Sequence, residues 1–148
     1  MLHSASDGTT LSEGQICQLA GVSHQKRKTW VKRKLLREPP DEGCHRSDAR
    51  SLAQLRLLFD TLGPTDGAAA WQQVGAEVEA DETGGVLDIL FDIELKQATV
   101  VRERDLVGEL LTHGRPVRLV ALAGRRAEID AAFDRLCAAV ESRPAQGS

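Results

Sequence analysis

The chain has 148 residues, 41% hydrophobic and 28% charged, which suits one ordinary domain or two small ones and excludes a disordered chain. No run of about eighteen apolar residues occurs, and the opening MLHSASDGTT has neither the basic start nor the apolar stretch of a secretory signal, so a cytoplasmic protein without a membrane partner is expected. The net charge of -3 is unevenly spread: residues 1–60 hold ten Lys and Arg against seven Asp and Glu, and residues 61–148 hold nine against fifteen. A polyanion should therefore meet the first part and be repelled by the second.

The three cysteines, Cys17, Cys44 and Cys137, are odd in number and widely spaced, which argues against a disulfide framework. Cys44-His45 is not accompanied by the paired ligands of a zinc site, so no metal and no cofactor are expected. His3, His24, His45 and His113 have no nucleophile or acid at a recognisable spacing, and the chain is not read as an enzyme. With no Tyr and 3% aromatic residues it also lacks a stacking platform for single strands.

In chain order, residues 1–9 read as a flexible lead-in. Ser12-Glu13-Gly14-Gln15 has the form of a capping box, and Ile16, Leu19 and Ala20 follow on one helical face up to Gly21. Ser23 then caps a second helix that should run to the prolines Pro39-Pro40. Between residues 24 and 37 this stretch carries seven Lys and Arg and no acid. A solvated helix normally interleaves both signs, so the run has the footprint of a phosphate-binding surface. Two short helices about a glycine turn, the second one basic, make a helix-turn-helix. Cys44-His45-Arg46 reads as a small wing. A third helix should begin at Ser47-Asp48 and close at Gly63-Pro64, and a fourth, capped by Thr65, should cover residues 65–74.

The run GQICQLAGVSHQKRKTWVKRKLLREP at residues 14–39 resembles the DNA-binding domain of MerR-type transcription regulators. A helix ends in Gly21-Val22-Ser23, ten residues follow, and a basic residue precedes Leu35-Leu36 and the proline. Residues 48–63 are similar to the family's third helix and its leucine-glycine ending. The likeness covers about residues 10–74 and implies a winged helix-turn-helix. Trp30 takes the aromatic core position. Thr29 stands where the family has a tyrosine, and the segment from Gly43 to Asp48 is shorter than its wing. By the resemblance Arg46 is the wing contact.

Residues 75–85 read as an acidic, glycine-ended linker, with a small α/β dimerisation or sensing domain at 86–142 and a disordered tail at 143–148. VLDILFDIEL at 86–95 alternates as a strand with one buried face. Residues 102–112 should form a helix, 116–123 a second strand, and 127–140 a last helix after Gly124. The fold class expected is α+β, a mostly helical winged helix-turn-helix followed by a βαβα domain whose two strands lie parallel through a right-handed crossover. Its unburied sheet edge points to a homodimer through the C-terminal half.

These readings converge on a sequence-specific double-stranded DNA-binding protein, a transcription regulator acting as a dimer and answering to a protein or small-molecule effector. The DNA-binding residues expected are Ser23, His24, Gln25, Lys26, Arg27, Lys28, Lys32, Arg33, Lys34 and Arg46. His24, Gln25, Lys26 and Arg27 would stand at the front of the recognition helix, Gln25 pairing with adenine and Arg27 with guanine, while Lys28, Lys32, Arg33, Lys34 and Arg46 neutralise phosphates. An architectural protein of a phage or mobile element, such as an excisionase or packaging adaptor, is the alternative. A protein-interaction adaptor that binds no DNA is a third.

Overall fold

A computed structural model describes residues 9–104, 107, 108 and 114–142. The tail expected at 143–148, and all of the lead-in but Thr9, lie outside them. The architecture is α+β, a helical N-terminal region and a C-terminal region with a small antiparallel sheet and a helix. It divides into two units, one made of residues up to Leu52 together with those from Ala127 onward, the other of Ala53–Arg126. The boundary near residues 75–85 expected from the glycines and acids is not where the chain divides.

In the first unit, helix α1 (Glu13–Ala20) starts on the capping box, with Ser12 Oγ accepting the Gln15 N–H and Gln15 Oε1 accepting the Ser12 N–H. Gly21 ends it in the left-handed region at φ 69°, where a side chain would be strained. Ser23 caps α2 (His24–Lys32) by accepting the Lys26 N–H. This helix is shorter than the basic run. Lys34 takes a left-handed φ of 63° and the Leu35 N–H returns to Trp30 O, so Leu35 and Leu36 swing into the core well before the prolines.

Leu11 and Cys44 exchange backbone hydrogen bonds in a single bridge, and α3 (Arg46–Leu62) begins directly after His45. The stretch expected as a wing is thus one bridge and a helix start. The Asp48 carboxylate accepts the His45 N–H and grips the Arg37 guanidinium at 2.6 and 2.8 Å. The core of this unit gathers Ile16, Cys17, Ala20, Trp30, Leu52, Ile129, Phe133 and Cys137, the last three from the far end of the chain. There Arg46 meets Asp134, and Arg50 grips Asp130 at 2.6 and 2.8 Å, with residues four apart on each helix facing each other.

In the second unit Gly63, at φ 88°, turns α3 into α4 (Pro64–Ala80). The cap is Gly63 followed by Pro64, not Thr65. Gly67 lets α4 close on α3, since a Cβ there would come within 3.0 Å of Leu58 O and Phe59 Cα. α4 runs on through Gly75 to Ala80, which corrects the first part of the expected linker: Val78 continues the buried inner face of Trp71 and Val74 beyond Gly75. The Asp81 carboxylate then takes the N–H groups of Gly85 and Val86 and the buried Arg126 guanidinium. Burial alone would raise this carboxyl, but these contacts hold it below its ordinary range.

Strands β1 (Asp88–Asp92), β2 (Gln97–Val101) and β3 (Val117–Ala121) form one sheet in the order β2-β1-β3, antiparallel throughout. This overturns the parallel βαβα arrangement. The long alternating run breaks at Asp92, whose Oδ1 accepts the N–H groups of Glu94 and Leu95 and turns the chain back, with Lys96 at φ 55° completing the hairpin. The helix expected at 102–112 falls largely on residues 105, 106 and 109–112, outside the described residues. α5 (Leu122–Glu141) follows β3 without a break, its first two N–H groups both bonded to Leu87 O, so Gly124 lies inside the helix and separates nothing. No described helix is long and apolar enough to cross a membrane.

Candidate nucleic-acid interface

Helix α2 has an inner and an outer side, and burial assigns them. Trp30 is buried, and so is Arg27, three residues before it on the same side. Arg27 is 2% exposed; its Nη1 donates to Glu13 Oε1 at 2.6 Å, joining α2 to α1. Its Nε finds no hydrogen-bond partner among the described residues. A guanidinium held in this way cannot reach a guanine edge, so the base contact expected of Arg27 is corrected to a strut between the two helices. Helical spacing carried the signal: with Trp30 as the inner aromatic, position 27 had to face inward too.

Gln25, Lys28, Thr29 and Lys32 fall at i, i+3, i+4 and i+7 on the opposite side, all exposed. Thr29 Oγ donates to Gln25 O at 3.1 Å, which keeps that short side chain against its own helix. His24 and Lys26 are exposed in the first turn. His24 Nε2 lies 3.2 Å from Glu13 Oε1, and Lys26 Nζ stands 5.9 Å from the Trp30 ring centroid. Arg33 and Lys34 extend the exposed cations past the end of the helix. Ser23, His24, Gln25, Lys26, Lys28, Lys32, Arg33 and Lys34 therefore share one continuous segment with no acid in it.

Arg46 stands apart from that set. It opens α3, is half-buried, pairs with Asp134 and lays its guanidinium over the Phe133 ring at 5.8 Å. The resemblance gave it a wing contact; the structure gives it a packing role beside the C-terminal helix. The partners Glu13, Asp48, Asp130 and Asp134 carried no local pairing signal in the sequence, because the pairings span 14, 11, 80 and 88 residues, all beyond the reach of one helical turn.

The electrostatics of α2 run against its own backbone. Its first turn holds no acid, and His24 and Lys26 sit where the aligned peptide dipoles place partial positive charge. The Glu13 carboxylate of α1, 3.2 Å from His24 Nε2, is the acid placed nearest this end. Burial pushes the thiols of Cys17, Cys44 and Cys137 up, leaving them protonated and poor nucleophiles or ligands. Among the described residues no three His, Cys, Asp or Glu side chains gather as a metal site. No family model matches the chain, and no curated protein gives a significant match to it.

Proposed function

We propose that this protein binds double-stranded DNA through α2 and acts as a dimeric transcription regulator. The observation that supports this most is the outer side of α2, where Gln25, Lys28, Thr29 and Lys32 stand exposed in a run of cations without an acid. A helix presenting such a stripe has the width and charge to lie in a major groove about 12 Å across. The brace from α1 through Glu13 and Arg27 fixes its pitch. Gln25 is the base reader in this reading, with Lys28 beside it, while Lys26, Lys32, Arg33 and Lys34 meet phosphates.

Selection of bound duplexes from a random pool, followed by anisotropy titrations in a salt series, tests the proposal. Gln25→Ala should relax preference at one base pair by about 1 to 3 kcal/mol, whereas Lys32→Ala should weaken all sequences alike and reduce the salt slope by about 1. A chain with no salt-sensitive duplex binding does not have this function. Cooperative filling of adjacent repeats, in place of one palindrome, would move the assignment to the architectural class.

A further inference from the structure

The two edges of the sheet are treated differently. On the β2 edge Gln73 of α4 covers the backbone: its Nε2 donates to Lys96 O and its Oε1 accepts the Ala98 N–H, both at 2.8 Å. Among the described residues the β3 edge has no such cover. The Ile93 N–H donates to Pro116 O and the Leu122 N–H to Leu87 O, so along the antiparallel ladder Phe91–Arg118 and Ile89–Val120 are the hydrogen-bonded pairs. The N–H and C=O groups of Val117 and Leu119 and the N–H of Ala121 therefore point away from β1, and no described residue takes them; the Ala121 C=O instead opens α5. Leu119, at the centre, is 46% exposed. The strand's one charge, Arg118, is drawn off the edge by donating from Nη1 to Thr61 O. Proteins usually blunt an edge of this kind with proline, a bulge or charge, and β3 has none of the first two.

We propose that β3 pairs with β3 of a second copy of this chain, antiparallel about a two-fold axis through Leu119, joining two three-stranded sheets into one. Leu119 then lies opposite Leu119, Val117 opposite Ala121, and Arg118 opposite Val120. In this register the N–H and C=O of Leu119 meet those of its copy and each Ala121 N–H meets a Val117 C=O, no like charges face each other, and the two exposed leucines pack across the axis. The strand is its own complement, which favours a second copy over an unrelated strand. The inference rests on the dimeric part of the proposed function and not on its DNA contact; the test uses no DNA, so the two fail separately.

Sedimentation velocity from about 1 to 100 μM protein reads the mass. The wild type should reach twice the 16.1 kDa chain mass. Leu119→Lys and Leu119→Glu, each placing like charges across the axis, should sediment as single chains with an unchanged circular dichroism spectrum, and an equimolar mixture of the two should recover the dimer. A monomeric wild type, variants that remain dimers, or a mixture that stays monomeric overturns the pairing. Should a variant unfold, amide exchange on the wild type decides: the N–H groups of Leu119 and Ala121 should gain protection as concentration rises. Exchange at solvent rates in a dimeric sample overturns the proposal equally.

Discussion

Arg27 and Lys28 are neighbours in a run of cations, yet one is sealed against Glu13 and the other stands in water. The difference is the 100° step between successive helical residues, which sends adjacent side chains to different faces. A buried guanidinium depends on its carboxylate. Glu13→Gln should therefore lower stability by about 1 to 3 kcal/mol in urea denaturation. Replacing both groups by apolar side chains, Glu13→Leu with Arg27→Met, should recover most of that loss, because no charge is then left stranded. Were Arg27 a base reader, Arg27→Met would alter sequence preference and leave the urea midpoint untouched.

At the scale of elements, the helices were legible and the sheet was not. Ser12 and Ser23 announced the starts of α1 and α2 because a capping hydroxyl acts within three residues, and both caps are formed. The end of α2 was misread because prolines mark where a helix cannot continue, not where it stops. A lysine in the left-handed region ends it earlier, at a backbone cost that glycine does not bear. Lys34→Gly should consequently raise stability by about 1 kcal/mol, measured by thermal or urea unfolding. The β-hairpin was missed for a related reason. Alternating apolar residues continue through Ile93 and Leu95, so the pattern described one long strand, while the turn was set by a single carboxylate, Asp92, binding two N–H groups beyond it. The strand at 97–101, QATVV, is half-exposed and carried little apolar alternation of its own.

For the molecule as a whole, the basic helix belongs to a unit whose core draws on both ends of the chain. Ile129, Phe133 and Cys137 complete it, and Asp130 and Asp134 hold Arg50 and Arg46. The sequence suggested a self-sufficient domain at residues 10–74, because local patterns do not show which distant helix covers which face. A fragment covering residues 1–80 should accordingly melt well below the full chain and expose apolar surface to a dye such as ANS, and adding back a peptide of residues 122–142 should restore part of the loss. Unimpaired melting of the fragment would mean the distant helix contributes little. The same closure bears on how the protein is made. Arg46 and Asp134 lie 88 positions apart, and Thr9 and Glu141 lie 132 apart. At about 5 to 20 residues per second, α2 is translated roughly 5 to 20 s before the residues that finish its support. Its cations are thus displayed on a growing chain before the fold that orients them exists, and pairing over such separations is slow once it can begin. The orientation of the helix is a property of the finished chain, and the nascent one presents only charge.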